Sequence, residues 1–197
     1  MIDFRERITY DGDLEQVLFR IISDYKLGQF DSYSIVEFGF EDLNIKLKTT
    51  TANFLVKIYS KNRTTSEIVR NADILRQVKD SGVRHPEIYL DTSGKLLHTD
   101  EISGLQMVVM EFVEGQTFYQ MGSVPTDEQL ALIVEQAYEI NKIDYSPEYV
   151  FDSWAIPNFK QAYDKNYVHV DEDKKYLIDK VYEKFTGIPL DELPKAF

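Results

Sequence analysis

The chain has 197 residues, 43% of them hydrophobic and 28% charged, a length and balance that suit one domain or two small lobes with a sizeable core. A formal net charge of −12 argues against nucleic-acid backbones and anionic membrane surfaces as partners, because the densest basic stretch, Lys57 to Arg63, holds only three cations. With no cysteine, disulfides and thiolate metal sites are excluded, and His85, His98 and His169 are too scattered to suggest a metal.

The opening residues, "MIDFRERITY", carry charge throughout and lack an apolar signal core. No apolar run approaches the roughly 18 residues a membrane helix needs, so a cytoplasmic protein is expected. Residues 13–25, "DLEQVLFRIISDY", place Leu14, Val17, Leu18, Ile21 and Ile22 at helical spacing, with Asp11 or Asp13 as the cap. The period then changes to two. "YSIVEF" (33–38), "NIKLKT" (44–49) and "NFLVKIY" (53–59) read as strands, the second with Ile45 and Leu47 inward and Lys46 and Lys48 outward. Their short connections predict an antiparallel meander, since parallel pairing needs a long crossover.

A helix is predicted over 64–81, capped by Thr64 or Thr65, carrying Ile68, Ala72 and Leu75 on one face and ended by Gly82. "EIYLD" and "KLLHT" follow as strands around the turn "TSG", then "LQMVVMEFV" (105–113). Beyond Gly115 the pattern is helical: residues 126–143 with Thr126 or Asp127 as cap, then "IPNFKQAYDKNY", then a last helix beginning near Asp171. The aromatic share of 13% predicts that rings such as Phe54, Tyr59 and Phe112 supply much of the core.

Lys57 stands in the middle of the third strand, alternating with Leu55 and Tyr59 while Phe54, Val56 and Ile58 take the other face. On the strand alone it reads as a solvated edge charge. Its neighbours change that. Three antiparallel strands with a lysine in the third, a helix, further strands and a linker into helices follow the order of a kinase nucleotide-binding lobe, where that lysine meets ATP phosphates.

The chain resembles the aminoglycoside phosphotransferase and choline kinase-like family, small-molecule kinases with a protein-kinase-like fold. "EFGFEDLNIKLKT" resembles its first hairpin, "FLVKIY" its third strand, "LQMVVMEFVEG" its fifth strand and hinge, and "ADILRQVKDSGVRHPEIY" its helix and the entry to the next strand. Together these cover residues 33–115 in order. The resemblance implies an α+β, protein-kinase-like fold. A five-stranded antiparallel lobe with one long helix would occupy residues 1–113, and the hinge and first helices of an incomplete second lobe 114–197. It implies that Lys57 binds ATP phosphates, that Glu111 offers its carbonyl and Val113 its N–H to adenine, and that Ile35, Leu47, Leu55 and Met110 wall the base. The segment from Phe38 to Leu43 would cover the phosphates.

Two positions depart from the family pattern. Its helix glutamate, which pairs with the strand lysine, aligns with Asn71; Glu67, one turn earlier, is the other candidate partner. The phosphate loop holds one glycine, Gly39, followed by Glu41 and Asp42, which must point away from phosphate if the loop is to cradle it.

The family's catalytic aspartate lies in a His-Gly-Asp loop, and this sequence contains no such tripeptide. The closing "IPLDELPKAF" resembles the stretch just before that loop. The expectation is therefore the N-terminal portion of an ATP-dependent phosphotransferase acting on a small-molecule hydroxyl, a cationic amino-alcohol or aminoglycoside among the candidates. Mg2+ belongs only to the intact family member, and this chain alone is expected to be inactive. Val134, Ala137 and Ile140 are expected to lie exposed on the later helices and to favour self-association. The alternative is a non-catalytic kinase-like module that binds a nucleotide or a protein.

Overall fold

The computed structural model describes residues 4–37, 39, 41–149, 151 and 155–189. A short helix α1 (Phe4–Ile8), not foreseen from the periodicity, precedes α2 (Leu14–Tyr25). Asp13 caps α2, its carboxylate accepting the Glu15 N–H at 2.9 Å, and satisfies a donor that the first turn leaves open. The stripe of Leu14, Val17, Leu18, Ile21 and Ile22 is buried, as its spacing requires.

The sheet comprises β1 (Phe30–Val36), β2 (Leu43–Thr49), β3 (Asn53–Ile58), β4 (Ile88–Tyr89), β5 (His98–Thr99) and β6 (Gln106–Glu111), all paired antiparallel in the order β1-β2-β3-β6-β4, with β5 also on β6. The first strand begins earlier than its alternation suggests, because a register shift lets Phe30 pair with Thr49. The expected hairpin of "EIYLD" with "KLLHT" does not form as paired strands. β4 pairs Met110 and Val109 of β6, and β5 continues at Met107 and Gln106, so the two short strands succeed one another along β6. Between them the Asp91 carboxylate gathers the Ser93 N–H, the Ser93 hydroxyl and the Lys95 N–H, closing the turn as an Asx motif.

Alternation gives the sheet two buried faces. Leu43, Ile45, Leu47, Phe54, Val56, Ile58, Met107 and Val109 pack in one cluster with Ile8 and the apolar stripe of α2. On the opposite face Tyr59, Val108 and Ile88 pack with Ile68 and Ala72 of α3 (Thr65–Ser81). Each aliphatic side chain so buried contributes roughly 1.5–3 kcal/mol. Phe112, expected in the core, is instead half-buried after β6, with the Lys46 ammonium 4.4 Å from its ring centroid.

α2 is tied to the sheet by a bidentate pair. Arg20 donates to both oxygens of the buried Asp100, at 2.6 and 2.8 Å, and Asp100 also accepts from the Ser103 N–H. The Arg20 guanidinium holds the Asp100 carboxyl down to about 2. Burial pushes Asp91 up, but its hydrogen bonds from Ser93, Lys95 and His98 prevail and bring it to about 2 as well. Both folded values lie below the ordinary value near 4, so their stabilisation is complete above about pH 4 and is lost as pH falls toward 2. Urea titrations between pH 5 and 2 should show that loss. Asp100→Asn should cost about 1–3 kcal/mol at neutral pH and flatten the acid limb.

The chain divides into two compact units, Met1–Pro147 and Glu148–Phe197. The first also holds α4 (Phe118–Met121) and α5 (Asp127–Asn141); Thr126 caps α5 in a capping box with Gln129. The second is built on α6 (Phe159–Asn166) and α7 (Glu172–Thr186). There Tyr163 stacks on Tyr182 at 4.0 Å, and the Tyr163 and Tyr167 hydroxyls donate to Asp179 at 2.7 and 3.1 Å. No helix among the described residues is long and apolar enough to cross a membrane.

Candidate functional site: an ammonium held on the third strand

Lys57 lies on the α3 face of the sheet, in register with Asn44 of β2 and Val108 of β6. Its ammonium is 2.8 Å from Asp42 Oδ2, and 29% of its side chain is exposed against 4% for Asp42. Asp42 is thus the inner member of the pair. It also accepts from Arg63 through Nε at 2.8 Å and Nη2 at 3.1 Å, and from the Ser60 N–H at 3.1 Å. Arg63 reaches outward as well, with Nη2 2.8 Å from Glu41. Burial pushes the Asp42 carboxyl up, but the hydrogen bonds from Arg63 and Lys57 outweigh it and hold it below its ordinary value.

The local sequence explains how Asp42 gets there. Leu43 opposes Ile58 and points into the α2-side core, so the residue before it faces the α3 side. Upstream, Gly39 has φ +139, a conformation other residues rarely adopt. Phe38 and Phe40, within the segment expected to cover phosphate, lie outside the described residues. The two loop acids meet different fates: Asp42 turns inward onto cations, and Glu41 pairs with Arg63 at the surface.

Neither helix candidate is the partner of Lys57. Glu67 closes a capping box at its own helix N-terminus, accepting from the Thr64 N–H at 2.6 Å and the Thr64 hydroxyl at 2.9 Å. That position also favours a carboxylate through the helix dipole, which competes with any reach toward Lys57. Asn71 is half-buried on α3, and the cation it was expected to meet is taken by Asp42.

The expected apolar walls separate by strand register. Leu55 pairs with Met110 and both lie on the Lys57 face, beside Lys46. Leu47 is 0% exposed in the α2-side cluster, and Ile35, paired with Ile45, packs against the same cluster. Both therefore face away from Lys57, and neither can wall a ligand on its side. Val36, paired with Asn44, occupies the Lys57-side position that Ile35 was expected to fill. Its signal was parity: on a pleated strand a one-residue difference changes face. At the end of β6, the Glu111 N–H donates to the Glu87 carbonyl at 2.7 Å and the Phe112 N–H to the Asn53 carbonyl at 3.1 Å, leaving Val113 exposed.

Among the described residues no three histidine, aspartate or glutamate side chains gather where they could hold a metal ion. Asp42, the acid nearest Lys57, is committed to its cations.

Comparison with known proteins decides the family. The phosphotransferase enzyme family model matches residues 32–185, more than half of the chain. The chain belongs to the phosphotransferase enzyme family. Homoserine kinases are similar over part of it: that of Caulobacter sp. (strain K31) is 28% identical over 107 residues, 54% of this chain and 33% of that protein. That of Bartonella tribocorum (strain CIP 105476 / IBS 506) is 24% identical over 111 residues, 56% of this chain and 33% of that protein. The match spans about a third of the length of these relatives.

Among solved structures, amicoumacin kinase hAmiN, in complex with AMP-PNP, Ca2+ and Ami, superposes with a TM-score of 0.62 at 14% identity, covering 97% of this chain and 56% of that one. A microcompartment-associated aminopropanol kinase gives 0.50 at 14% identity, covering 74% of this chain and 46% of that one. At such identity these likenesses show the fold, an α+β arrangement of the protein-kinase-like small-molecule kinases. The family and fold that the sequence resemblance implied are therefore the ones found, with six strands in the sheet in place of the five expected, because two short strands succeed one another along β6.

Proposed function

We propose that this member of the phosphotransferase family carries the nucleotide-binding part of an ATP-dependent kinase that phosphorylates a hydroxyl of a small molecule. The observation that supports it most is the Lys57 ammonium, held on a rigid strand by a buried carboxylate and still partly open to solvent. In phosphoryl transfer the protein chiefly positions phosphates and neutralises their charge, and a compact ammonium serves that need. On this reading Lys57 meets the phosphates, Leu55 and Met110 flank the base, and the Glu111 carbonyl and Val113 N–H meet its edge. Residues 1–113 then form the nucleotide lobe, and 114–197 the hinge and first helices of the second lobe.

Two sources support an amine-bearing alcohol as substrate: the relatives' names, homoserine kinase and aminopropanol kinase, and the net charge of −12. The bound nucleotide would supply the transferable phosphoryl group and its metal ion. The sequence contains no His-Gly-Asp tripeptide, so its own residues account for nucleotide recognition and not for activation of the hydroxyl. ATP at 100 times its Kd should stabilise the chain by about 2.7 kcal/mol, and no stabilisation would sink the reading. The missing tripeptide equally favours a non-catalytic nucleotide-binding module. These 197 residues are expected to give no phosphorylated product on either reading, so a coupled assay with amino-alcohols separates the two only on a longer gene product that carries a His-Gly-Asp loop, where the kinase gives product.

α5 supports a further part of the proposal. Leu130, Val134, Tyr138 and Ile140 are all at least 48% exposed, and Ala137 is exposed beside them. Asp127, Leu130, Ala131, Val134, Glu135 and Tyr138 line an open groove of about 580 Å3. Contiguous apolar surface of this kind promotes association in water. Sedimentation velocity should show concentration-dependent self-association, and Val134→Glu should shift the population toward monomer with an unchanged far-UV spectrum.

A further inference from the structure

We propose that Asp42 is a positioning residue for phosphate recognition: it anchors Lys57 so that the remaining N–H donors of the ammonium stay aimed at a nucleotide polyphosphate. The inference rests on the nucleotide-binding reading of Lys57 and adds to it a residue from the β1–β2 connection.

The hydrogen-bond inventory carries it. Asp42 Oδ1 accepts from Arg63 Nε and the Ser60 N–H; Oδ2 accepts from Arg63 Nη2 and pairs with Lys57 Nζ. A carboxylate has about four lone-pair sites, and here all four are occupied. Asp42 is 4% exposed at its side chain and fixed by three donors other than Lys57, so it acts as a post. Lys57 has three donors; one is spent on Asp42, and the exposed part of the side chain leaves room for the others. Arg63 immediately precedes Thr64, the N-cap of α3, so the post is braced by the helix entry as well as by β3.

The same proximity admits an opposing role, in which Asp42 is a resident anion competing with phosphate. Two observations favour positioning. The saturated carboxylate has no free lone pair with which to shadow the open side of Lys57. Arg63 also offsets its charge: with Glu41 on Arg63, the two cations and two carboxylates sum to zero, so the loop acids leave no net negative charge beside Lys57.

The test compares ATP with adenosine by titration calorimetry on the full chain, wild type against Asp42→Asn. An amide cannot serve all four donors and turns an NH2 toward cations, so Lys57 loses its anchor. ATP affinity should fall about 10- to 100-fold, the scale of one charge-assisted hydrogen bond, while adenosine affinity stays within about twofold. Adenosine binding also reports that the variant is folded. If Asp42→Asn does not fold, Asp42→Asn with Arg63→Met, which removes the stranded cation too, is judged by the same criterion. Tighter ATP binding overturns the proposal in favour of a competing anion. Unchanged ATP binding, or equal losses for ATP and adenosine, overturns it as well. A wild type that binds ATP no better than adenosine removes the nucleotide reading itself, an outcome visible before any variant is compared.

Discussion

Lys57→Met should remove half or more of the ATP-dependent stabilisation of this chain. Methionine preserves much of the side chain's length and apolar stem and removes the charge, so the change isolates the ammonium. A hydrogen bond to a charged group is worth about 1.5–3 kcal/mol, which predicts a Kd for ATP raised about 10- to 150-fold. The apo protein should suffer less than the roughly 3–5 kcal/mol typical of breaking a buried ion pair, because Arg63 and the Ser60 N–H still satisfy Asp42. Thermal denaturation with and without ATP separates these effects: a smaller ATP-induced shift reports the ligand contact, and a lower apo midpoint reports the lost pair. A variant stabilised by ATP as strongly as wild type would place the phosphates away from β3.

The second large effect distinguishes the faces of the sheet. Leu47→Ala should cost about 2–5 kcal/mol of folding free energy, because Leu47 is 0% exposed among Ile45, Phe54, Val56 and the α2 stripe, where a cavity has little means to collapse. Adenosine affinity in the protein that remains folded should be unchanged, since the side chain points away from Lys57. Leu55→Ala should reverse the pattern: Leu55 is only half-buried, so the stability loss is smaller, and adenosine binding should weaken. Chemical denaturation paired with adenosine titration measures both. Weakened adenosine binding in Leu47→Ala at little cost in stability would contradict the strand register.

Much of the scaffold is legible without the structure because its signals are local. The stripe on α2, the alternation in β2 and β3, and the caps Asp13, Thr64 and Thr126 each depend on residues within one or two turns or a few strand positions. Expectation and structure part where a residue is placed by analogy instead of parity. Resemblance puts Ile35 and Leu47 beside the base, yet alternation puts Leu47 in the inward set with Ile45, opposite the face of Lys57. Resemblance offers Glu67 to Lys57, yet the structure closes it in a capping box with Thr64, three residues away. The order of β4 and β5 along β6 is not legible, because two-residue strands carry almost no periodicity.

The chain's own residue pattern determined that a lysine would stand on the third strand, opposite an apolar face, because side chains on a pleated strand alternate whatever surrounds them. Its counter-ion was decided only in three dimensions. Asp42 and Arg63 are 15 and 6 residues from Lys57 along the chain, and nothing in local spacing selects them over Glu67 or Asn71. The hairpin register that sets Leu43 against Ile58 carries Asp42 to the face of Lys57, while the N-terminus of α3 retains Glu67. Charge pairing depends on distance through space, and that distance exists only once the strands have paired.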